Sequence, residues 1–213
     1  MKILVYTGYN QTPKYVHMGN FSSMNKLEYC NIHNYDFLCE RNYDNYHKPI
    51  SWNKIKRMIE LIDNYDYIFW SDADSFIVNK SITLESIINS KGKNTTVLRI
   101  NEENIPFLLK DEGDKFFISS DDAFGPCMAN FFIKNHKDLK EFLQRIYESS
   151  HFLHHPWWDQ AAFHHLVYNK QNYLDNIKIL PKEKLHRAFH DYQQGDFLIH
   201  DKFHFEDGQI KPK

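Results

Sequence analysis

The sequence predicts an α/β domain with a mostly parallel central sheet flanked by helices. Two observations carry that prediction. Through the first half of the chain, short apolar runs alternate with helical stretches. That order belongs to parallel sheets, whose crossover connections carry the helices. The 213 residues are also 42% hydrophobic and 16% aromatic, which suits one sizeable core. No internal repeat, low-complexity tract or composition break divides residues 1–213. They are expected to form a single domain, alone or within a longer protein.

Taken in order, Lys2–Tyr9 is an apolar run expected to form a buried strand ending at Thr7-Gly8. Residues 22–33 carry Met24, Leu27 and Cys30 at helical spacing. Asp36–Glu40 reads as a short strand. The clearest helix is 51–64, where Trp52, Ile55, Met58, Ile59 and Ile62 share one face and Lys54, Lys56, Arg57 and Glu60 lie off it. Tyr67–Trp70 is the next strand, 82–89 a short helix, and Thr95–Ile100 another strand. The polar stretch Asn101–Gly113 contains a proline and reads as a loop. Lys115–Ser119 and Met128–Lys134 follow as strands. Leu139, Phe142, Leu143, Ile146 and Tyr147 mark a second strongly amphipathic helix. Pro156 is placed to open a helix running to Tyr168. Ile177–Leu180 and Phe197–Ile199 are short late strands, and the closing GQIKPK reads as a frayed end.

Composition narrows the function classes. Net charge is −2 with both signs scattered, so no basic stripe marks a nucleic-acid surface. No apolar stretch approaches a membrane span, and MKILVYTGY is too short an apolar run for a secretory leader. Cys30, Cys39 and Cys127 are odd in number, widely spaced and without a C-x-x-C pair. They are expected to be small buried hydrophobes in a soluble protein of a reducing, cytoplasmic compartment, not disulfides or zinc thiolates. His151, His154, His155, His164 and His165 are dense, but Pro156 interrupts the helix that would align them and no H-E-x-x-H occurs. A zinc centre is not expected there either.

The most informative stretch is YIFWSDADSFIVN, residues 67–79. An apolar strand runs into Asp72 and Asp74 and turns apolar again. Carboxylates are costly to bury unless paired or bound to a metal. In parallel sheets, ligands bind at the carboxyl ends of strands, where this pair falls. In extended chain, positions i and i+2 point the same way, so both carboxylates can face one point and invite Mg²⁺ or Mn²⁺. The alternative is a solvated turn or capping pair, and D-x-D alone does not choose between the two.

The surroundings of D-x-D resemble a known family. W-x-K (Trp52–Lys54) opens the helix before the strand into WSDADSFIVN. NKLEYCNIHNYDF (25–37), FFIKN (131–135), WWDQAAFHHL (157–166) and DFLIHDKF (196–203) then follow in order. Together they resemble the GT-A fold glycosyltransferases that use nucleotide sugars. The similarity is greatest to the family of yeast and plant galactosyl-, mannosyl- and xyloglucan xylosyltransferases. Two departures stand out. The Asn-Thr-Gly-small pattern before the apolar strand is Cys127-Met128-Ala129-Asn130 here, and the Gly-Cys after the late histidine is missing. The first lies near sugar and acceptor in the family and leaves substrate identity open. A membrane anchor usually precedes the family's domain, and no stretch of residues 1–213 is expected to serve as one.

The resemblance implies a Rossmann-like GT-A fold, a Mn²⁺ or Mg²⁺ cofactor, a UDP-sugar donor and a glycan or glycoprotein acceptor. Asp74 would bind the metal directly, Asp72 would share it or hold the ribose, and His200 would be the third ligand. Thr7, Gly8 and Tyr9 end the first strand, where such enzymes cradle the nucleobase. Gly8 permits close backbone approach, and Tyr9 either stacks on the base or packs in the core. Lys54 and Lys202 either neutralise phosphate oxygens or are solvated surface lysines. Asp159 would stabilise the oxocarbenium-like transition state or act as nucleophile, and Gln160 would orient the sugar; a first-turn Asp is also favoured by the helix dipole. Asp121 and Asp122 either bind sugar or acceptor hydroxyls or form a solvated loop pair, and the loop pair is the expectation. Trp157 and Trp158 form either a sugar platform or core.

Two other functions compete with transfer. A haloacid-dehalogenase-like Mg²⁺ phosphatase also runs an apolar strand into Asp-x-Asp. Its nucleophile lies on the first strand, however, whereas α/β structure precedes Asp72 here. A nucleotide- or sugar-binding module that has lost its chemistry is the other; the intact D-x-D, His200 and Asp-Gln argue against it.

Overall fold

The computed structural model describes residues 1–41 and 48–200, together with the backbone of 203–206 and 209–212. Strand β1 (Ile3–Gly8) is buried along its whole length, as an apolar run without polar alternation must be. Its side chains divide between two cores: Leu4 and Tyr6 enter one, Ile3 and Val5 the other. Successive strand residues point to opposite faces, so this sheet is covered on both sides.

Helix α1 spans Pro13–His33, with proline in its first turn, and begins nine residues before the expected start at 22. Its buried face also differs from the expected one. Met24 and Leu27 are exposed, while Ser22, Lys26, Tyr29 and Cys30 are buried. Apolar periodicity failed because polar side chains occupy the inner face. Gly19 lies where the helix crosses Tyr9; a Cβ there would come within 2.3 Å of the Tyr9 ring.

Strand β2 (Asp36–Glu40), helix α2 (Ile50–Leu61) and strand β3 (Tyr67–Ser71) follow as expected. A short strand, β4 (Ser75–Ile77), lies just beyond the acidic pair. Helix α3 (Leu84–Ile88) leads to β5 (Thr95–Ile100) and β6 (Glu103–Leu108), an antiparallel hairpin. The loop expected over Asn101–Gly113 is therefore half strand. Asn101 and Glu102 both adopt positive φ, 48° and 68°, the geometry of a type I′ hairpin turn. Glu102 stands where glycine usually signals that turn, and Pro106 is tolerated because β6 pairs on one side only.

Strands β7 (Phe117–Asp122) and β8 (Gly125–Lys134) form a second hairpin. Helices α4 (Leu139–Glu148) and α5 (Trp158–Asn169) come next. Helix α5 starts two residues after Pro156, behind a turn in which Trp158 has φ 39°. Strand β9 (Ile177–Leu180), helix α6 (Lys182–Leu185) and strand β10 (Leu198–His200) complete the core. The expected frayed end instead contains a hairpin of β11 (Phe203–Glu206) and β12 (Gln209–Pro212). Lys213 and Gly208 lie outside the described residues.

The main sheet has six strands in the order β2-β1-β3-β8-β7-β9. The pairs β1/β2, β1/β3 and β7/β9 are parallel, while β8 is antiparallel to both β3 and β7. Helices α2, α4 and α5 cover one face and α1, α3 and α6 the other. The parallel strands β1 and β3 thus end together, and the acidic pair emerges at that edge.

Candidate active site

Asp72 and Asp74 lie in a turn between β3 and β4, not in extended chain: the Ser75 N–H donates to the Asp72 carbonyl across 3.1 Å. The convergence expected from strand alternation is produced instead by that reversal. Three supports fix it. The Asp72 N–H donates to Ala129 O at 2.9 Å. The Asn130 side chain accepts from Ser71 Oγ at 2.8 Å and donates to Ser75 Oγ at 2.9 Å, joining the strand ends on either side. From α1, the fully buried Lys26 Nζ donates to Asp72 O at 3.0 Å, to Ser75 O at 2.8 Å and to Ser22 Oγ. Burial pushes the Lys26 ammonium down to about 7, against the pull of Asp74 and Asp72.

His200 comes from the far end of the chain by strand pairing. Strand β10 is antiparallel to β4 in the register Leu198↔Ile77, Ile199↔Phe76, His200↔Ser75. That register sets the imidazole beside the residue next to Asp74. Its Nε2 is 3.3 Å from Asp74 Oδ1, and donor atoms of Asp72, Asp74 and His200 all lie within 4.8 Å of one another. Burial raises the Asp72 carboxyl, with Lys54 opposing. Burial also acts to raise Asp74, but His200 outweighs it and holds that carboxyl below its usual range. His200 responds reciprocally: burial would lower it, yet Asp74 raises it above an ordinary imidazole. Two hard carboxylate oxygens from one braced turn and an imidazole from the strand end beside it suit a divalent cation such as Mn²⁺ or Mg²⁺.

Beside this group is a cleft of about 490 Å³ lined by residues including Gly8, Tyr9, Tyr15, Asp72, Asp74, Trp158 and Asp159. Lys54 forms its floor and is only 4% exposed, which overturns the surface-lysine alternative. Its ammonium is 2.9 Å from Asp159 Oδ2 and 3.8 Å from Asp72 Oδ1, and donates to Met128 O at 2.6 Å. Lys54 and Asp159 thus form a buried ion pair. Burial lowers the Lys54 ammonium, but Asp159 and Asp72 more than reverse this. Burial pushes the Asp159 carboxyl up to about 6 even with Lys54 beside it.

The other expected residues are placed unevenly. Gly8 and Tyr9 line the cleft, but Tyr9 is 3% exposed, packs on Gly19 and donates to Asn20 Oδ1 at 2.6 Å. This favours core packing over stacking on a base. Thr7 is buried with no partner for Oγ1 among the described residues. Gln160 turns away from the cleft: Nε2 donates to Asp122 Oδ2 at 2.9 Å and Oε1 accepts from Met128 N at 3.3 Å. Lys202 lies outside the described residues. Asp121 and Asp122 are not a solvated loop pair, since Asp121 pairs with Lys93 and Thr96 while Asp122 also accepts from Phe124 N. The tryptophans divide: Trp157 stacks on Phe124 at 4.7 Å, whereas Trp158 is 50% exposed at the cleft rim. His164 is a structural residue, its Nδ1 accepting from Arg99 N and its Nε2 facing Pro126 O, each at 3.1 Å.

The profile of the galactosyl transferase GMA12/MNN10 family matches residues 1–204. The chain belongs to that family. Two curated relatives come from Schizosaccharomyces pombe. One is an uncharacterized α-1,2-galactosyltransferase, 22% identical over 174 residues that cover 72% of this chain and 46% of the relative. The other, "Probable alpha-1,2-galactosyltransferase gmh1", is 23% identical, covering 83% of this chain and 60% of its own length. This chain thus spans about half the length of the relatives it matches. Among solved structures, a glycosyltransferase involved in glycosylation of the major capsid of PBCV-1 shares the fold. Its TM-score is 0.66 at 15% identity, over 94% of this chain and 92% of that one. The GT-A class expected from the sequence is therefore the fold of this family member, and family membership weighs against the phosphatase alternative. No helix among the described residues is long and apolar enough to cross a membrane.

Sequence reasoning missed four contributors to the site. Lys26 gave no signal, because a lysine flanked by polar residues reads as exposed. Tyr15 was hidden in the unrecognised start of α1. Asn130 was seen only as a departure from the family pattern. His186, whose Nδ1 lies 3.1 Å from His200 Nδ1, belongs to no local motif.

Proposed function

We propose that this family member is a metal-dependent glycosyltransferase. It moves a sugar from a UDP-sugar to a glycan or glycoprotein acceptor with retention at the anomeric carbon. The observation that supports this most directly is the convergence of Asp72, Asp74 and His200 at the mouth of the cleft, within 4.8 Å of one another. When bound there, a divalent cation would offset the negative charge that grows on the departing diphosphate. Asp74 and His200 would hold the cation. Asp72 shares that task, its orientation fixed by Trp70 Nε1 donating to Oδ1 at 2.5 Å.

Asp159 stabilises positive charge at the anomeric carbon, and Lys54 holds its carboxylate against Asp72 on the other side. Lys54 acts from beneath the cleft as a fixed counter-charge to both acids. Gln160 is a positioning residue: it ties α5 to β8 and to Asp122, and so sets where Asp159 stands. Gly8 lets the nucleotide approach the end of β1 without meeting a side chain, and Trp158 supplies an apolar face at the rim for a pyranose ring.

Isothermal titration with UDP in Mn²⁺ tests the assignment. Asp74→Ala is expected to abolish Mn²⁺-dependent UDP binding while circular dichroism stays native. Unchanged UDP–Mn²⁺ affinity in that folded variant would sink the metal assignment. Wild-type UDP binding with no turnover of any UDP-sugar would favour a binding module over an enzyme.

A further inference from the structure

We propose that Cys127, His186 and His200 form a second cation site, selective for a soft divalent ion of the zinc class, which competes with the carboxylate pair for His200. Ligand atoms of the three residues lie within 4.8 Å of one another. They come from β8, from the residue after α6, and from the end of β10, three elements already held together by packing. Cys127 is buried at 4% exposure, and the two imidazoles are partly open to solvent.

The chemistry of the two groups differs. One sulfur and two imidazole nitrogens make a donor set that suits Zn²⁺ and similar borderline-soft ions. The carboxylate pair suits harder ions. Three protein ligands leave a fourth position for water. Loading the site changes no oxidation state: the Cys127 thiol gives up H⁺ to solvent as its sulfur bonds the cation, and a doubly protonated His200 ring gives up the H⁺ on Nδ1 as well.

His200 links the two sites through opposite edges of its ring. Nε2 faces Asp74 Oδ1 at 3.3 Å, and Nδ1 faces His186 Nδ1 at 3.1 Å. A neutral imidazole offers a cation one nitrogen and carries its proton on the other. With a cation between Asp72 and Asp74, the His200 proton sits on Nδ1 and is donated to His186. With a cation held through Nδ1, the proton sits on Nε2 and is donated to Asp74. One neutral ring cannot serve both, so zinc at the thiol side withdraws the third ligand from the carboxylate side. The thiol site stands on its own geometry; only this antagonism rests on the transferase reading.

The test uses the full chain freed of metal by chelation and titrated with CoCl₂, whose bond to thiolate gives a near-ultraviolet charge-transfer band. The wild type is expected to develop that band at one equivalent. It should be lost in Cys127→Ser, appear only at about tenfold or more higher cobalt in His186→Gln, and persist in Asp74→Ala. Circular dichroism confirms each variant is folded, and His186→Gln carries the test if Cys127→Ser is not. No band in the wild type, or a band that His186→Gln leaves unchanged, overturns the proposal. In a second arm, one equivalent of ZnCl₂ should weaken Mn²⁺-dependent UDP binding by the wild type but not by Cys127→Ser. Equal weakening in both would overturn the antagonism. If the wild type bound no UDP at all, the transferase reading would fail while the cobalt band still decided the thiol site.

Discussion

Lys26 is the residue on which the acidic turn rests. Its side chain spends every donor on Asp72 O, Ser75 O and Ser22 Oγ. Because burial lowers its ammonium from 10.5 to about 7, the unfolded chain holds one more proton than the folded chain between those values. Stability should therefore rise with pH across that window, by up to about 1.4 kcal/mol per pH unit from this group. Urea midpoints from neutral to mildly alkaline pH should show that slope in the wild type and lose it in Lys26→Met; equal slopes would contradict the assignment. Asp159 behaves oppositely, since burial raises its carboxyl to about 6. In the role proposed for Asp159 only the ionised form stabilises a cationic transition state, so kcat should climb as pH passes about 6. Asp159→Asn should lower kcat by about 10²–10³-fold and flatten that rise in the pH–rate profile.

Among the elements, α1 shows how function reorders a helix. A helix usually buries its apolar stripe, but α1 exposes Phe21, Met24, Leu27 and Ile32 while burying Ser22, Lys26 and Tyr29. Its inner face serves the acidic turn: besides Lys26, Asn25 donates to Ile77 O at 2.9 Å and accepts from Ile77 N at 2.8 Å. The helix is held against β1 at Gly19. Placing a methyl there, as in Gly19→Ala, would press on the Tyr9 ring and is expected to cost about 1–3 kcal/mol. A shift of the urea midpoint would register that loss. Because Tyr9 lines the cleft, UDP affinity should fall with it, whereas a change on the outer face, Met24→Lys, should leave both unaltered.

At the scale of the whole molecule, the site is assembled from parts remote in sequence. Strand β3 delivers the acidic pair, β10 the histidine, α2 the lysine and α5 the aspartate, all arriving where β1 and β3 end. Ligand binding should accordingly stabilise the entire fold. UDP with Mn²⁺ at about 100 times its Kd should add about 2.7 kcal/mol by mass action, and the melting temperature should rise accordingly. UDP alone should give a far smaller shift, and equal shifts with and without Mn²⁺ would argue that the carboxylates hold no cation.

What the sequence determined by itself is what repeats locally. Apolar runs placed β1, β3, β5 and β9, and the amphipathic faces of α2 and α4 marked two helices of one layer. The carboxylates at the end of a core strand marked the sheet edge where the cleft opens. Their convergence was anticipated for the wrong reason, since the chain reverses there. The hairpin at Asn101–Glu102 and the inner face of α1 escaped notice because their backbone and side chains depart from average preference. Tertiary structure alone decided that Lys54 lies beneath Asp159 and that Gln160 faces Asp122. It alone brought Cys127 and His186 to the far edge of His200. Those neighbours are set by strand register and helix packing, and neither leaves a period in the chain.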